Sequence, residues 1–187
     1  MRSRFHVVTL IAGSVLLLSA CSGHFGAGIA ELPASQGWQP LPIGSWVLNE
    51  GLEARSMVFC PREACAKQGF ASVVAFAGSE AERMEQALKA DPASLARLFS
   101  KPPADDGRSR KKTKPKGPAK STTTVTRFEA EGVAGILVEI RAKDTSGKSA
   151  ATAILHGRED DRLVVALAVA QDAEAARRDA IAAWRSR

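Results

Sequence analysis

Twenty consecutive residues, 101–120 (KPPADDGRSRKKTKPKGPAK), divide the chain and limit what either side can build. They hold eight Lys or Arg residues against Asp105 and Asp106, with four prolines, two glycines and no large apolar side chain. Such a segment cannot bury enough surface to offset the entropy lost on ordering, so it is expected to be a disordered insertion. Its net charge is +6, which puts the basic character of the chain in one loop rather than in the fold. Two readings stand: a solvated insertion between two elements, or electrostatic attachment to an anionic surface through Arg108, Arg110, Lys111, Lys112, Lys114, Lys116 and Lys120. Near such a surface each charge contributes about 1 kcal/mol. No aromatic residue interrupts the basic run to stack on bases, so nucleic acid is not an expected partner.

Beyond the insertion the pattern has period two. In residues 122–144 (TTTVTRFEAEGVAGILVEIRAKD), Ile136, Val138, Ile140 and Ala142 alternate with Leu137, Glu139, Arg141 and Lys143, which predicts a half-buried strand. Gly132 and Gly135 in that region read as a bulge or a turn. Turn chemistry at 144–149 and 157–162 frames a second strand over 150–156 and a third, nearly all-apolar one over 163–171, together an antiparallel meander. The last 16 residues are alanine-rich and predict a helix capped by Asp172, with Glu174 at its positive start and Arg185 and Arg187 at its negative end. Ala173, Ala176, Ala180, Ile181 and Trp184 fall on one face of it, which should dock on the sheet with Trp184 as its largest buried group.

Before the insertion, Trp38 and Trp46 flank a Pro-Gly cluster that resists helix, and 45–48 and 57–60 read as short strands. The two tryptophans either close one end of a core, the favoured reading, or form an aromatic ligand shelf. The apolar run 70–78 (FASVVAFAG) predicts a buried central strand. Ser79 and Glu82 have capping-box spacing, and Ala81, Met84 and Leu88 then share a helical face. Asp91-Pro92 restarts the pattern for a second helix with Leu95, Leu98 and Phe99 on its apolar side. Strands grouped apart from helices imply an α+β fold with helices on one face of a mostly antiparallel sheet. That order is similar to the PsbP and Mog1-like fold over about residues 37–187. The resemblance is architectural and implies no particular activity.

At the other end of the chain, Arg2 and Arg4 precede an apolar run over 7–18, and the small residues Ser19 and Ala20 follow. Charged, apolar and small segments in that order predict a secretory signal peptide. The apolar stretch over 5–20 is 16 residues, short of the roughly 20 that span a bilayer core. Leu18-Ser19-Ala20-Cys21 resembles the lipobox of bacterial lipoproteins. In that family the cysteine carries a diacylglyceryl group, the signal is cut just before it, and the new amino terminus is usually acylated. The resemblance implies that Cys21 is the lipidated first residue of a mature chain of 167 residues. Two or three acyl chains hold a protein firmly to a membrane where one does so only marginally. Ser22, where an aspartate would favour the inner membrane, resembles outer-membrane sorting. Residues 22–36 read as a flexible tether with a span of roughly 20 Å, with folded structure starting near Gly37. In such an envelope setting the anionic partner of the basic insertion would be lipid headgroups, lipopolysaccharide or an acidic wall polymer.

Setting Cys21 aside leaves Cys60 and Cys65, with four residues between them, most simply a disulfide in an oxidising compartment. Closing so short a loop stabilises by about 2 kcal/mol in the chain-entropy model. Redox chemistry of the thioredoxin type would have two intervening residues, and a zinc site lacks ligands, since the mature chain offers only His24 and His156 besides this pair. No cofactor or metal is expected. His24 lies in the tether. His156 ends a predicted strand beside Glu159, Asp160 and Asp161, a setting more usual for a surface residue than for a base, while Glu129 and Glu131 alternate like solvated charges. The sequence therefore predicts a non-catalytic binding or scaffolding domain, with a small hydrolase or redox enzyme built on His156 or on Cys60 and Cys65 as the alternative.

Overall fold

The structure is a computed structural model that describes residues 28–43, 51–91, 94, 121–143 and 147–187. The insertion 101–120, Cys21, Trp46, the predicted strand at 45–48 and nearly all of the predicted second helix lie outside the described residues.

Seven strands form one sheet. In chain order they are β1 (Gln39–Pro40), β2 (Leu52–Cys60), β3 (Gly69–Phe76), β4 (Ser121–Ala130), β5 (Val133–Ala142), β6 (Ser149–Glu159) and β7 (Arg162–Ala170). Helix α1 (Gly78–Lys89) lies between β3 and β4 in sequence, and α2 (Ala173–Arg185) ends the chain. The order across the sheet is β1-β2-β3-β7-β6-β5-β4, and every neighbouring pair is antiparallel. The fold is α+β. Each half of the chain is a meander of consecutive strands, and the two halves meet at one seam, where Phe70 pairs with Val169 and Phe76 with Leu163.

The C-terminal meander has four strands where the periodicity predicts three. Residues 121–130 are a strand of their own because Glu131 and Gly132, at φ 53° and 74°, make a two-residue turn that returns the chain at Val133. Both central residues of such a turn lie in the left-handed region, which glycine enters without strain. The strand is exposed over much of its length, so it lacks the apolar alternation that marks β5.

The helices lie on opposite faces of the sheet, not on one. Side chains alternate along a strand; Val164, Ala166 and Ala168 of β7 belong to the core cluster under α2, whereas Leu163 and Val165 belong to the cluster with Ala81 and Leu88 of α1. Ala176, Ala180 and Ala183 of α2 are fully buried, and Trp184 is 2% exposed, the docking predicted for this helix. Asp172 caps it, its Oδ1 accepting from Ala175 N at 2.8 Å. The capping box predicted for α1 does not form. That helix begins at Gly78 with Ala77 in the cap position, so Ser79 is already inside it and makes no cap bond. Its other end is held instead by Arg127 of β4, whose Nη2 donates to Leu88 O at 3.2 Å and Ala90 O at 2.5 Å. A cation on the last carbonyls satisfies acceptors that the helix leaves open.

On the α2 face three aromatic rings lie over three glycines: Trp38 over Gly69, Phe128 over Gly135 and Trp184 over Gly157. Gly135 is thus a packing position within β5 rather than a bulge. Folded structure also reaches further back than Gly37. Ile29 and Leu32 are buried in the α2-side core and Ala34–Gln36 form a 3-10 turn, so the predicted tether loses its second half to the domain.

Candidate functional site

An open cleft of about 1000 Å³ occupies one end of the α2 face. Its walls are the disulfide loop after β2, the turn between β5 and β6, and the first turns of α2. Cys60 and Cys65 are joined by a disulfide with Cα atoms 5.9 Å apart, as the spacing predicts. Trp38, 7% exposed, closes the core beside the cleft, with its ring over Gly69; this is the core-closing role. Charge in the cleft is mixed and largely paired. Lys67 Nζ meets Asp172 Oδ2 at 2.9 Å, and Arg141 Nη2 meets Glu139 Oε1 at 3.1 Å.

Asp179 is the least expected group there. It lines the cleft from α2 and is 3% exposed. Its Oδ1 accepts from Nε and Nη2 of Arg178 at 3.1 and 3.0 Å. Burial raises its pKa above the ordinary carboxylate range, and the Arg178 hydrogen bond opposes that. Sequence reading missed Asp179 because it interrupts an otherwise alanine-rich face; an acidic residue three positions after a core alanine was the available signal.

His156 lies elsewhere. It sits within β6, three residues before the strand ends rather than at its end, and is 8% exposed, not a surface residue. Leu155 points into the α2-side core and Ile154 into the α1-side core, so His156 faces α1. Its Nε2 has no hydrogen-bond partner among the described residues. Burial lowers its pKa, with the Arg127 charge acting the same way, Glu85 opposing it and Lys89 adding to it. Glu159 is held by Arg55 at 2.9 Å and Arg187 at 2.8 Å. Arg55 reaches it from the bulge between Ala54 and Ser56 in β2. Glu131 is likewise engaged, by Arg185 at 2.8 Å, which lowers its pKa.

His156 and the Cys60–Cys65 pair therefore lie on opposite faces of the sheet, and neither can assist the other. Among the described residues no group of three His, Cys, Asp or Glu side chains could hold a metal ion, and no helix is long and apolar enough to cross a membrane. No family model matches the chain, and no curated protein matches it.

Proposed function

We propose that the chain is a lipoprotein of the bacterial cell envelope, anchored through Cys21 and directed to the outer membrane, whose domain is a non-catalytic binding or scaffolding module facing the periplasm. The observation that carries this reading is the thiol count around Leu18-Ser19-Ala20-Cys21. Cys60 and Cys65 pair with each other, which leaves Cys21 as the odd cysteine of the three in the sequence, directly behind an apolar stretch. A diacylated, N-acylated cysteine accounts for both the odd thiol and its setting. The basic insertion 101–120 supplies a second attachment, to anionic lipid, lipopolysaccharide or wall polymer, whose strength depends on salt.

Intact mass and N-terminal peptide mass of the chain purified from membranes test the anchor. The expected product begins at Cys21 and carries acyl mass; a product that begins elsewhere, or lacks acyl mass, overturns the reading. For the insertion, flotation with anionic vesicles of a chain that begins at Ser22, and so carries no acyl group, should be lost on deleting 108–120 and weakened by salt. Flotation on vesicles that the deletion leaves unchanged would remove that role from the insertion.

A further inference from the structure

The two edges of the sheet are finished differently. At one edge β1 is two residues long and includes Pro40, which has no backbone N–H to offer. At the other, β4 runs for ten residues and pairs with β5 in one unbroken register. Natural sheets block an open edge with prolines, lysines or bulges, and β4 has none of these. The Arg127 side chain does not guard the edge either, since it is turned to the last carbonyls around α1. Which backbone groups face outward follows from the turn at Glu131 and Gly132. A two-residue turn makes Ala130 and Val133 a hydrogen-bonded pair, and such pairs alternate along an antiparallel ladder. Phe128, Thr126 and Thr124 therefore bond to β5, and the N–H and C=O groups of Glu129, Arg127 and Val125 point away from it. Among the described residues no backbone group bonds those outward groups.

The side chains of β4 select the strand that fits. Laid antiparallel on a second β4 with Val125 opposite Val125, residues 121–129 all find a partner: Thr124 meets Thr126, Phe128 meets Thr122, Arg127 meets Thr123 and Glu129 meets Ser121. Threonine pairs, and aromatic residues opposite β-branched ones, are favourable neighbours. Like charges stay apart in this register, whereas a register centred on Arg127 would set the two guanidinium groups against each other. Charge is also matched end to end, because Glu129 comes to the end of the other strand that continues in sequence from the basic run 101–120. We infer that β4 is the contact between two copies of this chain, which join edge to edge about a twofold axis at Val125 into one continuous sheet. Because β1 ends the sheet on both far sides, the assembly closes at two copies and does not grow into a fibre. The inference stands on the sheet and does not depend on the anchor.

In this pairing Thr124 and Thr126 of the other copy face each other without exchanging hydrogen bonds, the spacing at which two cysteines can be bridged. Two differently tagged copies of the full chain, one with Thr124→Cys and the other with Thr126→Cys, are made together and oxidised with copper phenanthroline. Cross-linked dimer should exceed that from either copy alone, or from unaltered copies, by roughly fivefold. A second arm needs no new thiol. Thr124→Lys with Thr126→Lys in one chain sets cations opposite each other and should weaken self-association about tenfold, read by sedimentation of the full chain in detergent micelles. Thr124→Lys with Thr126→Glu sets opposite charges there and should leave self-association intact. Both threonines are exposed, and melting curves check each variant; if the cysteine copies do not fold, the charge pairs decide. Equal cross-linking by either copy alone, a full chain that sediments as a monomer, or capture of a different protein in place of the second copy would overturn the inference. A monomer that still carries acyl mass at Cys21 removes this contact and leaves the anchored-lipoprotein reading standing.

Discussion

Strand β7 presents the same nine residues to two helices, and the two sides are built differently. Toward α2 it offers Val164, Ala166 and Ala168 to a helix whose own buried residues are mostly alanine, with Trp184 filling the far end. Small residues on both surfaces let backbone approach backbone, and the interface excludes water over most of the helix. Toward α1 it offers Leu163, Val165 and Leu167, but α1 buries only Ala81 and Leu88. There the sheet supplies the bulk, and charged groups occupy the remaining edge. Glu85 bonds Arg158 at 2.8 and 2.5 Å and Lys89 at 2.7 Å, and the hydrogen bonds to these two partners, Lys89 first, lower its pKa to about 2. One face is a closed apolar seam, and the other is a smaller core fenced by ion pairs.

If that contrast is correct, the largest loss should follow from emptying the closed seam. Trp184→Ala leaves a cavity between α2 and Gly157 and should cost about 3–5 kcal/mol in urea unfolding. Leu88→Ala on the other face should cost less, about 2 kcal/mol, since the end of α1 beside it can settle toward solvent. Equal losses would mean that the two faces are equally closed. The helix starts differ in the same sense: Asp172→Ala should cost about 1 kcal/mol, whereas Ser79→Ala should change stability by less than about 0.5 kcal/mol. Thermal melts of the pair check this directly.

The smallest effect is a matter of slope. His156 is held neutral by burial on the α1 face, so its folded pKa lies below its ordinary value of 6.5. As pH falls below 6.5 the unfolded chain binds a proton that the folded one resists, so this group removes stability on acidification and restores it as pH rises. Asp179, on the other face, has the opposite sign. Its folded pKa lies above 3.8, so the fold loses stability as pH rises from that value through the raised one. His156→Gln should flatten the fall in melting temperature below pH 6.5, and Asp179→Asn should flatten the fall on the other side of the acid range. A His156→Gln variant with an unchanged profile would show that the imidazole takes up its proton as readily in the fold as in the unfolded chain.

Elements with a strong local signal were legible in the sequence. The run 70–78 reads as a buried strand, and β3 occupies it at the centre of the sheet; Asp172 reads as a cap, and it caps. What was not legible depends on residues far apart in the chain. Nothing local to Ser79 says that the helix starts one residue before it, because the start follows from where β3 delivers the chain. Strand β4 carries a row of threonines and no apolar stripe, and only its partner β5 defines it. The candidate cleft was partly visible through Cys60, Cys65 and Trp38. Asp179 was not, since its burial comes from the packing of α2 on the sheet.

The seam between β3 and β7 also sets the order in which this molecule can form. Strands β1 to β3 are complete by residue 76, but their inner neighbour begins at Arg162, in the last 26 residues of the chain. Pairing at such sequence separation must close a long loop before any contact rewards it, which slows assembly. As the chain emerges N-terminus first into the compartment where it folds, the first meander therefore waits with an unpaired apolar edge until β7 arrives, and α2 locks the seam immediately afterwards. A truncation before residue 162 would leave two separate fragments of sheet rather than a domain short of one edge.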